Sequence, residues 1–400
     1  MDKLYALTNG KIVLQEKILE NCAILLRNEY IEDIINMSEI DRYVHDIELI
    51  DCVGNYILPG LIDIHSDMVE RIIAPRRGVK FDYELALHEA DRQLISQGIT
   101  TMYHSISIAN STICNRKRTL SVEEMIGIGD AIDKYQSRML INHRFHARLE
   151  LNTTEAFPYI CERIKQGKIH ELSLMNHAPG QGQYSNWNLF KNEIKRQYGE
   201  ISETRMTEII KECLSKPLLS APQIEYILEL AHSYDIPLAF HDLETKKQLS
   251  FMLQNRIQIG EFPLNMDIAK EAFNSNIYNL VGAPNILKGK SHNNNASAIE
   301  LLKKGWAKII CSDYYSPSLL MSLFLIPKIS ELSLSEAVRF ASYYPAKAIG
   351  IDSMYGSISP GKIADLIIID ASKKIPCVIL TFINGKITQQ LYYEHHSKIH

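Results

Sequence analysis

Three features of the sequence predict an α/β fold. It is a (β/α)₈ TIM-type barrel with a small β-domain built from both chain ends. Short strand-like runs with turn signals occupy both ends of the 400-residue chain. Between them, eight apolar strand-like runs alternate with longer amphipathic segments, as expected for repeated βα units. His and carboxylate side chains follow most of these runs, at the strand ends where such a barrel carries its chemistry.

Composition excludes several classes of protein. Hydrophobic residues make up 46% and charged residues 22% of the chain, which is typical of a folded globular protein rather than a disordered one. The net charge of −4 argues against a dedicated nucleic-acid-binding protein. No run approaches the ~18 apolar residues of a spanning helix, and no signal peptide is recognisable at the N-terminus. The seven cysteines lack metal or redox spacing, so most are expected to be buried thiols. We therefore expect a cytoplasmic protein with neither nucleic acid nor membrane as partner, and a homo-oligomer stays open.

The two ends of the chain are predicted to form one composite β-domain from residues 1–58 and 353–390, with a polar tail at 391–400. Asn9-Gly10 is a strong signal for a hairpin between the first two runs. Asn28-Glu29 separates a second pair, and Asn384-Gly385 follows the last long run. The strand-like runs of these ends cover residues 4–8, 11–14, 23–27, 30–35, 364–369 and 378–383.

Residues 59–352 are predicted to form the barrel. Its strand-like runs cover residues 61–65, 100–105, 139–151, 171–177, 237–241, 257–261, 278–282 and 308–313. The clearest helices between them are predicted at 83–97, 122–134, 221–234 and 296–304. The polar segment 181–220 is expected to be a long, elaborated loop.

The residues at the strand ends suggest a metal site. His65 and Asp67 are separated by one residue, and alternate residues of a strand point to the same face, so both can bind one ion. The other polar strand ends are His104, Glu150, His177, His241 with Asp242, and Asp313. Neutral imidazole and carboxylate groups are the ligands expected for Zn²⁺, Mn²⁺ or a similar divalent ion.

Three motifs resemble the amidohydrolase superfamily. They are ILPGLIDIHSD at 57–67, GITT at 98–101 and GSISPGKIADLIIID at 356–370. The resemblance runs from about residue 1 to 390 and implies a metal-binding barrel with a small β-domain made from both chain ends.

Further motifs resemble one diphosphatase branch of that superfamily, which acts in the carbon–phosphorus lyase pathway. They are HSDMVERIIAPRRGV at 65–79, NHAPGQGQY at 176–184, FHD at 240–242, VGAPNILKGKSHNNNASA at 281–298 and SDYYSPSLL at 312–320. The chain departs from the branch where Asn176 and Leu243 replace expected Asp residues, where Asn293-Asn294-Asn295 replaces Ser-Gly-Asn, and where Arg77 replaces Pro. These differences bear on substrate detail more than on the reaction.

The resemblance implies a site of one or two divalent ions, with Zn²⁺ or Mn²⁺ favoured. The expected ligands are His65, Asp67, Glu150, His177, His241 and Asp313. Glu150 would take the bridging position that a modified Lys has in many relatives. Asp313 is expected also to be the catalytic general base, which accepts the proton of the attacking water.

The implied reaction is water attack at the α-phosphorus of alpha-D-ribose 1-methylphosphonate 5-triphosphate, which gives the 5-phosphate and diphosphate. Such a small-molecule substrate needs cations around it, and Arg suits bidentate phosphate contact. Barrels often bind phosphate with the loops after strands seven and eight. The expected substrate-binding residues are Arg71, Arg76, Arg77, Arg148, Lys290, Ser291 and His292.

Two other functions compete with this one. A deaminase or cyclic amidase of the same superfamily would share the metal site and differ in substrate. A non-catalytic scaffold would have lost ligands at the strand ends, whereas this chain keeps six of them. His104 is expected to be structural or to support a ligand, and His143 and His146 are not expected to bind metal.

Overall fold

The structure, a computed structural model, describes residues 4–43, 47–76, 78–109, 120–177, 187–289 and 296–393. Four predicted substrate-binding residues, Arg77, Lys290, Ser291 and His292, lie outside the described residues, as do residues 394–400 of the predicted tail. The strands are β1 (Leu4–Thr8), β2 (Lys11–Val13), β3 (Ile18–Leu19), β4 (Cys22–Arg27), β5 (Tyr30–Asn36), β6 (Glu48–Asp51), β7 (Tyr56–Pro59), β8 (Leu61–Ser66), β9 (Ile99–Ile108), β10 (Asn142–Glu150), β11 (Glu171–Met175), β12 (Leu238–His241), β13 (Ile259–Glu261), β14 (Tyr278–Gly282), β15 (Ile309–Cys311), β16 (Leu366–Asp370), β17 (Cys377–Ile383) and β18 (Lys386–Gln390).

The α-helices are α1 (Met68–Ile73), α2 (Tyr83–Ile95), α3 (Val122–Tyr135), α4 (Phe157–Lys165), α5 (Trp187–Tyr198), α6 (Glu203–Leu214), α7 (Ala221–Ser233), α8 (Lys246–Gln254), α9 (Met266–Asn274), α10 (Ala283–Lys288), α11 (Ala298–Lys303), α12 (Ser318–Ile329), α13 (Leu334–Arg339) and α14 (Tyr343–Ala348). Short 3₁₀ helices cover Met37–Arg42, Gln136–Arg138 and Thr154–Ala156.

Strands β8 to β15 form one eight-stranded sheet in sequence order, and neighbouring strands are parallel. The first and last strands meet at a parallel bridge between Ser66 and Asp313. The backbone N–H of Asp313 donates to the carbonyl oxygen of His65 at 3.0 Å. The barrel prediction is confirmed, and the barrel closes at residues that were predicted to bind metal.

The helices follow the strands because apolar positions recur at helical spacing and their ends are capped. Helix α2 begins after Asp82, whose carboxylate accepts the N–H groups of Glu84 and Leu85. Helix α3 begins at a capping box formed by Ser121 and Glu124. Such helices bury their apolar faces against the outer side of the sheet, so the polar strand ends are left for the barrel mouth.

The predicted hairpin at Asn9-Gly10 is wrong. Strand β1 pairs with β4 and β6 in a four-stranded sheet, whereas β2 pairs with β3 and β7 in a six-stranded sheet. The N–H of Cys52 donates to the carbonyl of Thr8, and the N–H of Lys11 donates to the carbonyl of Asn55. The turn therefore carries the chain from one sheet into the other beside the β6–β7 segment, and this long-range pairing overrides the local turn signal.

The other two hairpins are confirmed: β4 pairs with β5 across Asn28-Glu29, and β17 pairs with β18 across Asn384-Gly385. Gly385 has a φ of +68°, and a Cβ there would collide with the carbonyl oxygen of Asn28. Both chain ends also share one apolar core, which contains Leu7 and Ile24 together with Leu366 and Phe382. The chain ends thus build a β-sheet domain together, as the sequence predicted, and its exact boundaries stay a prediction.

The segment 181–220, expected to be a loop, contains helices α5 and α6 in its described part. Their buried side chains form a cluster separate from the barrel core: Phe190, Ile194, Met206, Ile209 and Cys213. These residues recur at spacings of three and four, a helical signal that the many polar residues between them obscure. The loop prediction is therefore wrong for these residues.

The cysteines follow the prediction only in part. Free thiols are found at Cys22, Cys52, Cys161, Cys311 and Cys377, of which the middle three are buried. Cys213, in contrast, is disulfide-bonded. A search of the described helices finds none with the length and apolar character needed to cross a membrane.

Candidate metal centre

Two imidazole rings at the barrel mouth are held by one buried carboxylate. Nδ1 of His65 lies 2.6 Å from Oε1 of Glu261, and Nδ1 of His241 lies 2.9 Å from Oε2. Their rings are stacked, with centroids 5.5 Å apart. An ionised carboxylate only accepts hydrogen bonds, so both rings donate from Nδ1. Each Nε2 consequently carries the lone pair that a metal ion requires.

The charge of Glu261 depends on these contacts. Burial raises the pKa of Glu261, but the electrostatic attraction of His65 and the hydrogen bonds from His241 and His65 outweigh burial and hold that pKa well below its usual range. Glu261 therefore stays ionised in the protein interior.

A third imidazole is held in the same way by Glu150. Nδ1 of His177 lies 2.7 Å from Oε2 of Glu150, and the backbone N–H of His177 donates to Oε1 at 2.7 Å. Both carboxylate oxygens of Glu150 thus contact His177. Burial lowers the pKa of His177, but the charges of Glu150 and Asp242 outweigh burial and raise that pKa to about 9.

Asp242 lies between two of these rings. Its Oδ2 is 3.4 Å from Nε2 of His177, and its Oδ1 is 3.8 Å from Nε2 of His241. The three side chains each offer a ligand atom, and these atoms lie within 4.8 Å of one another. Asp242 follows β12 directly and has a φ of +56°, so the backbone turns sharply at this point.

Asp67 and Asp313 lie together where the barrel closes. The N–H of Asp67 donates to the carbonyl of Asp313 at 3.1 Å, and the hydroxyl of Ser66 donates to the same carbonyl. Asp313 has a φ of +55° directly after β15. Burial and then the charge of Asp67 raise the pKa of Asp313 to about 6.

The residues present fit a divalent cation. Carboxylates hold the three rings at Nδ1, so each ring presents its Nε2 atom, a usual metal-coordinating atom, on its other side. Buried oxygens of Asp67 and Asp242, Oδ1 and Oδ2 respectively, have no hydrogen-bond partner among the residues that the structure describes. Imidazole nitrogens together with such carboxylate oxygens are the donor set of Zn²⁺ and Mn²⁺ sites.

The predicted ligands differ in how the structure groups them. His177 and His241 share a cluster with Asp242, and His65 joins His241 through Glu261. Asp67 and Asp313 adjoin His65 along the backbone at the barrel seam. Both oxygens of Glu150 contact His177 in this structure. The role of Glu150 as a bridge between two ions therefore stays a prediction.

Cationic side chains lie near this centre. Nη2 of Arg148 is 3.0 Å from Nε2 of His241; since Arg only donates, this Nε2 is an acceptor. The guanidinium of Arg71 lies 5.5 Å from the ring centroid of Tyr314, and the Lys288 ammonium is 2.6 Å from the Tyr314 hydroxyl. Arg76 is exposed and forms a backbone bridge to Val79.

Several residues of the site were not predicted as such. Glu261 ends a predicted strand, so the strand-end rule that found His241 could have found it. Asp242 had been noted at a strand end but was not assigned as a ligand. Tyr314 follows Asp313 directly, and only the structure shows that it contacts both Arg71 and Lys288.

His104 lies on the helix side of the sheet. Its ring stacks on His143, whose Nε2 is 3.1 Å from Oδ1 of Asp91 in α2. Nε2 of His104 and Nδ1 of His143 are 2.7 Å apart. This placement, away from the barrel mouth, fits the expectation that His104 is structural or supports a ligand.

Comparisons with known proteins add family information. Residues 56–388 match the model of the amidohydrolase family, and residues 4–57 match that of the NagA composite domain. The chain is 30% identical to the alpha-D-ribose 1-methylphosphonate 5-triphosphate diphosphatase of Escherichia coli (strain K12) over 362 residues, which cover 88% of this chain and 94% of the relative. It is 46% identical to the N-acetylglucosamine-6-phosphate deacetylase of Haemophilus influenzae over 56 residues, 14% of either chain.

Solved structures share the fold at low sequence identity. The N-acetylglucosamine-6-phosphate deacetylase from Pasteurella multocida aligns with a TM-score of 0.65 at 15% identity, over 96% of this chain and 99% of that chain. Molinate hydrolase aligns with a TM-score of 0.67 at 11% identity, over 96% and 94% of the two chains. At this level of identity the likeness concerns the fold alone.

Proposed function

This chain belongs to the amidohydrolase family, and from that premise we propose that it is a metal-dependent diphosphatase acting on alpha-D-ribose 1-methylphosphonate 5-triphosphate. The observation that carries the proposal is the similarity to the Escherichia coli diphosphatase, which extends over 88% of this chain and 94% of the relative. The coarser conclusion, a hydrolase of the amidohydrolase family, does not depend on that substrate.

The basic residues at the mouth support a phosphorylated substrate. Arg71 follows the first barrel strand, Lys288 follows the seventh, and both contact Tyr314 after the eighth. Loops after strands seven and eight are the usual phosphate-binding loops of such barrels. These two cations beside Tyr314, the residue after Asp313, can offset the negative charge of a triphosphate and of the departing diphosphate.

The remaining roles follow from the geometry. A bound divalent ion supplies an acidified water and polarises a phosphoryl oxygen. Asp313 would accept the proton of the attacking water. Glu261 holds the rings of His65 and His241 in the tautomer whose Nε2 has no proton, and in His241 an ion would replace the hydrogen bond that this Nε2 accepts from Arg148.

The direct test is turnover of the purified, metal-supplemented protein. We expect equal amounts of diphosphate and 5-phosphate from the ribose triphosphate, loss of this activity with a chelator, and recovery with Zn²⁺ or Mn²⁺. In oxygen-18 water, attack at the α-phosphorus places the label in the 5-phosphate and leaves the diphosphate unlabelled.

The same assay separates the competing functions. A panel of nucleosides and cyclic amides serves as the comparison substrates, with ammonia and ring opening measured beside phosphate release. Ammonia release without diphosphate release would overturn the proposal in favour of a deaminase. No turnover, together with less than one bound divalent ion per chain, would favour the scaffold alternative.

A further inference from the structure

Three fully buried side chains form a second polar cluster inside the barrel. His146 on β10, Glu171 on β11 and Glu261 on β13 have no solvent exposure. Each offers one ligand atom, and these atoms lie within 4.8 Å of one another. The cluster shares only Glu261 with the site described above. From the sequence, His146 was not expected to bind metal, and Glu171 had no assigned role.

The hydrogen bonding of His146 leaves a lone pair facing a carboxylate. Its Nδ1 is 3.0 Å from the carbonyl oxygen of Ile64, which can only accept, so Nδ1 carries the proton. Nε2 lies 3.7 Å from Oε1 of Glu261, which is too far for a hydrogen bond. Nε2 of His146 and Oε1 of Glu261 thus face each other beyond hydrogen-bond distance.

Glu171 is also buried without a hydrogen-bond partner among the described residues. This holds for both of its oxygens, and the contact of Oε2 with Nδ1 of His146 is long, at 3.6 Å. The hydroxyls of Ser105 and Ser173 are also buried without a partner in that part of the chain. Ser105 is the register partner of His146, and Ser173 is two residues beyond Glu171, so both lie on the same side of the sheet.

We propose that His146, Glu171 and Glu261 form a second, deeper site for a divalent cation of the Zn²⁺ or Mn²⁺ type. A cation supplies the positive charge that these acceptors lack, since burying unpaired acceptors and charges is costly. Ligand atoms around a tetrahedral Zn²⁺ are about 3.3 Å apart, close to the 3.7 Å between Nε2 of His146 and Oε1 of Glu261.

The contacts between Glu261 and the Nδ1 atoms of His65 and His241 need no ion between them. These contacts, at 2.6 and 2.9 Å, are hydrogen bonds that already satisfy both oxygens of Glu261 from one side. A carboxylate oxygen has a second lone pair, so Oε1 can accept from His65 and still coordinate an ion. Glu261 would then connect the deep cation to the two rings that orient toward the mouth.

The test compares metal content and stability in three full-length variants, refolded with Mn²⁺ or Zn²⁺ and then freed of loosely bound metal. Glu171→Gln and His146→Gln each remove one ligand of the deep site at nearly constant volume. Asp242→Asn, which alters only the candidate metal centre at the barrel mouth, is the matched control. Metal is counted per chain by elemental analysis, and unfolding is followed thermally.

We expect Glu171→Gln and His146→Gln to lose the same ion, one equivalent per chain, and to melt at a lower temperature than the wild type. Asp242→Asn is expected to keep that ion, and the double variant Glu171→Gln/Asp242→Asn is expected to lose it as Glu171→Gln does. An unchanged metal count in Glu171→Gln, with an unchanged or higher melting temperature, would overturn the proposal, because relief of a buried unpaired carboxylate stabilises a protein.

A crystallographic measurement covers the case in which a variant fails to fold. Crystals of the wild type grown with Mn²⁺ should show an anomalous peak between His146 and Glu171, separate from any peak at His177 and Asp242. Ordered water without anomalous signal at this position would overturn the deep site, whatever the activity of the protein.

Discussion

The barrel interior and the composite β-domain bury charge in opposite ways. In the barrel, Glu261 and Glu150 orient three imidazole rings toward one mouth. In the β-domain, Asp365 accepts the N–H of Asn384 with one oxygen, while its other oxygen has no partner among the described residues. Burial raises the pKa of Asp365 to about 7. In the barrel, buried carboxylates are thus paired with imidazole rings of the candidate metal centre. In the β-domain, the buried carboxyl of Asp365 has no ionic partner among the described residues and instead binds the backbone of the turn at Asn384.

The largest expected effect comes from removing the base. Asp313→Asn should lower kcat for diphosphate release by about 10³-fold, because the side chain no longer accepts a proton and offers one oxygen less to an ion. Asp365→Asn makes the same chemical change in the β-domain and should leave kcat unaltered. Steady-state kinetics of the two purified variants make the comparison, and a kcat of Asp313→Asn near that of the wild type would exclude Asp313 as the base.

The next effect concerns the orientation of the rings. In Glu261→Gln, the amide NH₂ faces one of the two Nδ1–H donors, so His65 or His241 loses its acceptor. We expect metal affinity to fall by about 10–100-fold, as is typical when a group that orients a ligand is removed. Competition with a chelator measures this, and Glu300→Gln, on an exposed pair with Lys303, is the control. Equal affinities in both variants would show that Glu261 orients neither ring.

A smaller effect is expected at the mouth. Arg71→Ala removes one of the two cations on Tyr314 and should raise KM for the triphosphate by about 10-fold with little change in kcat. Arg92→Ala removes an exposed Arg of α2 that pairs with Glu89 and is the matched control. If Arg71→Ala changes kcat and leaves KM as it is, the residue does not serve substrate binding.

The smallest expected effect is a change in the pH dependence of stability, caused by Asp365 in the β-domain. The folded pKa of Asp365, about 7, exceeds the usual 3.8, so the folded protein holds a proton that the unfolded chain releases between these values. The contribution of Asp365 to wild-type stability should therefore fall as pH rises from about 4 to about 7, and Asp365→Asn should remove that part of the slope. Denaturant unfolding at pH 4, 6 and 8 measures it; parallel pH profiles of the two proteins would contradict the assignment.

Much of the site could be predicted because it follows from local pattern. The His65–Asp67 spacing and the apolar runs predicted the strand ends at which His241 and Asp313 are found. Glu261 could not be recognised as the partner of His65, because 196 residues separate them and only barrel closure brings them together. The same applies to Tyr314, whose contacts come from the helices that follow two other strands.

The sequence by itself determined the alternation of strands and helices, the hairpins at Asn28-Glu29 and Asn384-Gly385, and the polar residues at the strand ends. These follow from side-chain periodicity and turn preference, which act over a few residues. Only the tertiary structure decided that Asn9-Gly10 links two sheets and that Glu261 holds two imidazole rings. Such pairings depend on which distant segments become neighbours when the barrel closes, and burial then makes their charges interact strongly.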